Sequence, residues 1–343
     1  MGFKNWEKSE ITTDTGEKAN AICPVIVSAG RSTDIPAFYS KWFFNRLDRG
    51  YCVWINPFNQ MRQYISFDKT RLFVFWSKNP EKFIDRLPEL DSKNINYYFQ
   101  FTLNDYENDD LEPGVPPLRR RIDVFKRLSR QIGKQRVIWR FDPLVLTDRI
   151  DAAALVEKIY RVGEKISKYT NKLVISFADI ARYRNVQRNL VRAGIQYRLF
   201  SDEDILFIAE NLQQLSADLG LVVATCAEEM DLGAYGIVHN KCIDDELMIK
   251  NFSSDKRLMK FLGASNSYLN RLPGFESGTS LNLKDRGQRK ACRCIVSKDI
   301  GQYNTCPHLC RYCYANFSEK KVKKNLGTRT HDHFESILKG EAA

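Results

Sequence analysis

Residues 136–148 read "RVIWRFDPLVLTD". Valine, isoleucine, tryptophan and leucine crowd this short run, which is rich in β-branched and aromatic side chains. Such a run predicts a strand covered on both faces, the kind found in parallel sheets flanked by helices. Arg140 and Asp142 stand inside this apolar frame. A charge there is costly unless it is paired or used. The pair is therefore expected to line the mouth of a site.

The same pattern recurs on either side. "CPVIVSAG" (23–30), "RLFVFWSKNP" (71–80), "INYYFQFTLND" (95–105), "KLVISFADI" (172–180) and "LVVATCAEEMD" (221–231) read as further buried strands. Helical stretches separate them. "AFYSKWFFNRLDRG" puts Phe38, Trp42, Phe43 and Leu47 on one helical face, with Gly50 as its stop. Others lie around "PPLRRRIDVFKRLSRQIG", over 151–168, and in "SDEDILFIAENLQQLSADLG", where Ser201 is the expected N-cap. "YCVWINPF" (51–58) and "YISF" (64–67) look like a short β excursion.

Six strands alternating with helices predict an α/β fold with a parallel sheet. No G-x-G-x-x-G or G-x4-G-K-[ST] phosphate loop follows any of them, which weighs against a nucleotide-binding open sheet. The expectation is a TIM-like, partial parallel β/α barrel. Polar residues close each strand: Arg31 and Asp34, then Ser77, Lys78 and Asn79, then Thr102, Asn104 and Asp105, with Asp179, Glu228, Glu229 and Asp231 further on. In a barrel these ends gather at one mouth, although loops facing water are polar in any case.

With 343 residues, 43% hydrophobic and 28% charged, the chain has the composition of a soluble globular protein. "MGFKNWEKSEITTDTGEKAN" lacks the apolar core of a signal peptide, and Trp6 stands where myristoylation wants Ser or Thr. No run approaches the roughly 20 apolar residues of a membrane span, so a cytoplasmic protein is expected. The net charge of +11 suits a polyanionic partner such as nucleic acid. Part of it lies in "SEKKVKKNLGTR" (318–329), which reads equally as the solvated face of a terminal helix.

Of nine cysteines, five fall between Cys292 and Cys313. In a reducing compartment such crowding points to metal ligation rather than disulfides. "NTCPHLCRYCYANF" (304–317) spaces Cys306, Cys310 and Cys313 as C-x3-C-x2-C, with Tyr312 before the last. Three thiolates suit a [4Fe–4S] cluster with one iron left open, whereas zinc would need a fourth ligand such as His308. Cys226, Cys242, Cys292 and Cys294 number four, enough for an auxiliary [4Fe–4S] cluster or a zinc ion, with His239 as a further candidate. Cys226 also reads as a small buried hydrophobe, and Cys23 and Cys52 as packing residues. His331 and His333 are expected to cap a terminal helix rather than to pair on a metal.

"CPHLCRYCYANF" resembles the cluster motif of the radical S-adenosylmethionine (SAM) superfamily, C-x3-C-x-φ-C, with Tyr312 as the aromatic residue. "FWSKNP" and "WRFDPL" resemble its spore photoproduct lyase-like branch. Along nearly the whole chain, "SAGRSTDIPAFYS", "FWSKNP", "WRFDPL", "KCID" and the terminal cysteine segment are similar to DUF1848, an uncharacterised family that brings no activity with it. The superfamily resemblance implies a [4Fe–4S] cluster on Cys306, Cys310 and Cys313 that binds SAM and cleaves it reductively. A 5′-deoxyadenosyl radical would then abstract hydrogen from a substrate. It also implies an electron donor of the flavodoxin or ferredoxin type. The superfamily's Gly-Gly-Glu strand motif does not stand out here, so Ser77, Lys78 and Asn79 are the substitutes expected around SAM. Arg140 and Asp142 are expected at SAM or substrate.

In most members the cluster loop follows the first strand, whereas here it comes last. "CRCIVSKDIGQYNTCPHLCRYCYANFSEKKVKK" itself reads as strand, long loop and helix. The expectation is a circularly permuted barrel whose usual first unit stands at the end of the chain, because barrel ends lie close together. Residues 294–300 should then lie beside the strand at 24–29. The organisation expected is a polar extension (1–20), barrel units (21–235), a connecting segment (236–290) and a cysteine-rich segment completing the barrel (291–343). The competing expectation is a non-catalytic iron–sulfur or zinc protein that binds nucleic acid or passes electrons. An unfilled coordination position separates the two.

Overall fold

A computed structural model describes residues 6–264, 283–327 and 333–338. In chain order its strands are β1 Glu7–Thr12, β2 Lys18–Cys23, β3 Ile26–Ala29, β4 Tyr51–Ile55, β5 Arg62–Ser66, β6 Leu72–Ser77 and β7 Asn96–Thr102. They continue with β8 Val137–Leu144, β9 Leu146–Thr147, β10 Lys172–Phe177, β11 Tyr197–Arg198, β12 Val222–Thr225, β13 Val238–His239 and β14 Lys298–Asp299. Eight of these form one sheet in the order β13-β12-β10-β8-β7-β6-β3-β14. Every pairing in it is parallel. The α/β class and the six expected strands are there, and β13 and β14 extend the sheet at its two edges. Among the described residues no ladder joins β13 to β14.

Strand β14 pairs Lys298 with Val27 and Asp299 with Ser28 of β3. The segment leading into the cysteine loop thus lies beside the first strand of the large sheet, as the strand–loop–helix reading requires. Strands β6, β7 and β8 are buried on both faces, which is why they read as apolar runs without alternation. On one side Phe75 packs against Phe99 and Phe83 at ring separations of 5.0 and 4.8 Å, and Phe43 stands 5.0 Å from Phe73. Each such ring contributes about 1.5–3 kcal/mol by leaving water.

A second sheet, in the order β1-β2-β5-β4, flanks the first. The stretch expected as a polar extension (1–20) supplies β1 and the start of β2. Strand β1 keeps no residue fully buried, so it carries little apolar alternation to read.

Helix Ser40–Arg49 buries Trp42, Phe43 and Leu47 and ends at Gly50, whose φ of 78° is left-handed. Phe38 departs from the expected face. It closes a separate short helix, Ile35–Phe38, at Tyr39, and it is 39% exposed. Helices Leu118–Ile132, Ala152–Ile166 and Asp202–Leu219 cover the sheet, the last with Ser201 in a capping box with Asp204. Helix Glu319–Leu326 buries only Val322. The terminal stretch 333–338 is not helical. Its Phe334 and Glu335 carbonyls accept hydrogen bonds from Trp42 Nε1 and Val53 N, both at 2.8 Å. Among the described residues His333 caps no helix, and His331 lies outside them. Among the described residues no helix is long and apolar enough to cross a membrane.

Candidate functional site

The carboxyl ends of the strands meet the cysteine loop. After β3 the chain turns at Gly30, where φ is 126° and a Cβ would lie 2.3 Å from the Trp76 carbonyl oxygen. Only glycine fits this crossing over β6. The turn delivers Asp34, whose carboxylate accepts from Ala37 N at 3.0 Å and Lys78 N at 2.7 Å. The same carboxylate meets His308 Nε2 at 2.9 Å, and His308 Nδ1 lies 3.1 Å from the Gly114 carbonyl. Both ring nitrogens are thus engaged inside the protein, and His308 is not the fourth ligand of a zinc knuckle.

The loop itself is held on several sides. Tyr39 donates to the Thr305 carbonyl at 2.6 Å, Thr305 donates to Thr33 Oγ1 at 2.7 Å, and Arg311 N donates to the Leu111 carbonyl at 2.9 Å. Asn316 donates to the Cys306 carbonyl at 2.9 Å. Backbone N–H groups also reach the sulfurs: that of Asp34 points to Cys306, and those of Ala315 and Asn316 point to Cys313. Burial pushes all three thiols up, Cys310 to about 12, while Lys78 opposes the rise at Cys310 and Cys313.

Beneath the loop lies a buried polar network. Lys78 Nζ donates to Glu112 Oε1 at 2.8 Å and to Tyr312 Oη at 3.0 Å. Asn104 donates to the same two oxygens at 2.9 and 3.1 Å, and the Tyr312 hydroxyl donates to Glu112. Asp142 N donates to Asn104 Oδ1 at 2.9 Å, which ties the network to β8. The Asp142 carboxylate accepts from Arg140 Nε at 2.8 Å and from the Ser176 hydroxyl. Burial alone would push the Glu112 carboxyl up. Lys78 and Arg121, with the Lys78 and Tyr312 hydrogen bonds, overturn that and hold it at about 2.

Of the three residues expected around SAM, Lys78 enters this network. The Ser77 hydroxyl instead accepts from Asn79 N at 3.1 Å and shapes the turn, and Asn79 Oδ1 is buried with no partner among the described residues. Glu112 escaped the reading of the sequence because an acid in the proline- and glycine-rich "DLEPGVPP" looks like loop surface. Glu228, after β12, is pushed up to about 7 by burial and accepts from Phe177 N at 3.1 Å.

The other four cysteines converge from three segments. Cys226 follows β12, Cys242 follows β13, and Cys292 and Cys294 precede β14. The Cys226 and Cys242 sulfurs are 3.4 Å apart, and Cys294 accepts from Cys242 N at 3.2 Å. From the segment around β13, the side chain that reaches Cys242 is Asn240, at 3.4 Å. Cys23 and Cys52 are buried packing residues, as expected. Among the described residues no group of three or more His, Cys, Asp or Glu side chains stands where it could hold a metal ion. A recess of about 510 Å³, lined by Arg71, Asn96, Arg136 and Asp255 among others, lies at the amino ends of β6 to β8, away from all of this.

The family model described as "Domain of unknown function (DUF1848)" matches residues 26–315. No curated protein matches the chain. Among solved structures, one described as an alpha-L-fucosidase from Bacteroides thetaiotaomicron VPI-5482 aligns over 74% of this chain and 82% of its own. Its identity is 12% and its TM-score 0.23, a likeness from which neither fold nor function follows.

Proposed function

We propose, of a chain that belongs to the DUF1848 family, that it is a radical SAM enzyme. Cys306, Cys310 and Cys313 would hold a [4Fe–4S] cluster, and its open iron would take S-adenosylmethionine. One observation carries the reading: the C-x3-C-x2-C loop follows β14, and its Tyr312 lies against Lys78, Asn104 and Glu112 at the carboxyl ends of β6 and β7. Sites of parallel α/β proteins are built at that end.

The donor set suits the group in kind, being three thiols in one loop. N–H donors reach Cys306 and Cys313, and His308 is engaged elsewhere, so the loop would offer three ligands and leave one iron open. When bound, the cluster and SAM supply one-electron cleavage of the sulfonium C–S bond and a 5′-deoxyadenosyl radical for hydrogen abstraction. The chain's own residues bind and orient. Glu112, Lys78 and Asn104 fix the Tyr312 ring below the loop, while Ser176 and Arg140 hold Asp142 ionised and turned in one direction. Glu228 holds a proton near neutral pH at the same end of the sheet.

In this reading the sheet is a partial barrel, and β14 with its loop and helix is the usual first unit, moved to the chain's end. The enzyme would be cytoplasmic and served by a flavodoxin- or ferredoxin-like donor. Its substrate would be nucleic acid, since exposed arginines and lysines flank the cysteine loop.

Anaerobic reconstitution with iron and sulfide, then dithionite and SAM, tests the proposal by the appearance of 5′-deoxyadenosine. Cys310→Ala should abolish both the cluster and the product. A demonstrable cluster in the wild-type chain without product would sink the enzyme reading and favour a non-catalytic iron–sulfur protein.

A further inference from the structure

We propose that Cys226, Cys242, Cys292 and Cys294 form a second, separate metal site, a mononuclear zinc tetrathiolate. The Cys226 and Cys242 sulfurs stand 3.4 Å apart. Cys294 accepts from Cys242 N at 3.2 Å, and Cys292 stands two residues before it in the C-x-C pair. Tetrahedral zinc, with Zn–S bonds of about 2.3 Å, sets its sulfurs about 3.8 Å apart. One edge of such a tetrahedron, Cys226–Cys242, therefore already stands near contact, and the ion would close the rest by drawing Cys292 and Cys294 inward. An iron–sulfur cubane instead puts each cysteine on a different iron and holds the sulfurs apart by the width of the cluster. A disulfide would need Cys226 and Cys242 at about 2.05 Å.

The surroundings are built for thiolates. Cys294 accepts from the N–H groups of Cys242 and Ile243 at 3.2 and 3.5 Å. Cys242 accepts from Arg140 Nη1 at 3.1 Å and Asn240 Nδ2 at 3.4 Å. A neutral thiol is a weak acceptor, so four donors on two sulfurs would be a poor use of buried polar groups without an anion. Zinc with four thiolates carries a net charge of −2, and Arg31 and Arg140 stand within electrostatic reach of Cys242. Binding displaces four thiol protons and changes no oxidation state. The same Arg140 donates to Asp142 at 2.8 Å, so the ion would anchor the residue that orients Asp142.

The site stands whether or not the first cysteine set holds a cluster, and the experiment separates them. The full chain carrying Cys306→Ala, Cys310→Ala and Cys313→Ala is purified, and its zinc, iron and sulfide are counted. It should retain about one zinc per chain. After stripping, cobalt(II) should give the intense visible bands of a tetrahedral tetrathiolate, and adding Cys294→Ser should remove both signals. Should the triple variant fail to fold, zinc is counted in the wild-type protein as purified, where about one per chain is again expected. Iron with sulfide at this site, a Cys226–Cys242 disulfide, or a metal-free chain whose four thiols all react freely in the native state would overturn the proposal. None of these outcomes bears on SAM cleavage by the wild-type chain.

Discussion

Glu112 is fully buried yet ionised because Lys78 and Arg121 stand beside it, at 2.8 and 3.7 Å. Removing its charge leaves two buried cations without their partner, a change that ordinarily costs about 3–5 kcal/mol. Glu112→Gln should therefore lower the unfolding free energy at pH 7 by about 3 kcal/mol, measured by urea denaturation. The double variant Lys78→Met/Glu112→Gln should lose less than the sum of the two single changes, because the pair disappears together. The pH dependence follows from the depressed carboxyl, held at about 2 against an ordinary 4.5. Its contribution is complete above pH 4.5 and is lost as pH falls through about 2. Acid unfolding between pH 5 and 2 should accordingly be shallower in the Glu112→Gln chain. Equal acid slopes would mean that the network does not hold the charge in solution.

The cysteine loop depends on elements that approach one another very closely. A Cβ on Gly114 would lie 2.4 Å from the Pro307 carbonyl oxygen and 2.8 Å from that of His308. Gly114→Ala must push the loop away and should cost about 1–3 kcal/mol. Its reconstituted iron content should fall relative to wild type, and undiminished iron would show that Cys306 does not need this contact. Nothing in "EPGVPP" announces the role, since the glycine's constraint comes from a loop almost two hundred residues away. The large sheet was legible because strands covered on both faces leave continuous apolar runs, whereas β14 is the two half-buried residues Lys298–Asp299, just past the apolar run that "CIVSK" offered. Strands β1 and β2 were not, for β1 carries its alternation on charged side chains. The split after Phe38 was hidden as well, because a four-residue helix has the same local pattern as the first turn of a longer one. The cysteines were legible as a crowded terminal segment, while the meeting of Cys226, Cys242 and Cys294 is a property of strand order.

At the scale of the whole molecule, the charge of +11 is not spread evenly. Arg184, Arg188 and Arg192 stand exposed at four-residue spacing on helix Arg184–Arg192, whose Asn185 and Asn189 donate to the loop carbonyls of Tyr314 and Asn316 at 2.9 and 3.3 Å. Lys320, Lys321, Lys323 and Lys324 are exposed on helix Glu319–Leu326, just past the same loop. Between the two runs an aromatic chain links Tyr183 to Tyr314 at 5.7 Å, Tyr314 to Tyr303 at 6.3 Å, and Tyr303 to Phe317 at 6.1 Å. Tyr314 and Phe317 each remain 42% exposed. Rings set among cations are how proteins hold a single strand, the bases stacking while the phosphates are neutralised. A fluorescently labelled single-stranded oligonucleotide should therefore bind more tightly than its duplex in an anisotropy titration. Affinity should fall steeply with salt, by a slope of about 0.7 per phosphate contacted. Changing the four lysines together to alanine should flatten that slope. Tyr314→Ala should instead weaken binding by about 1–3 kcal/mol while leaving the slope nearly unchanged, because stacking releases no counterions. If wild-type protein shows no binding even at low salt, the basic helices are solvated surface and the substrate must be sought among peptides or small molecules.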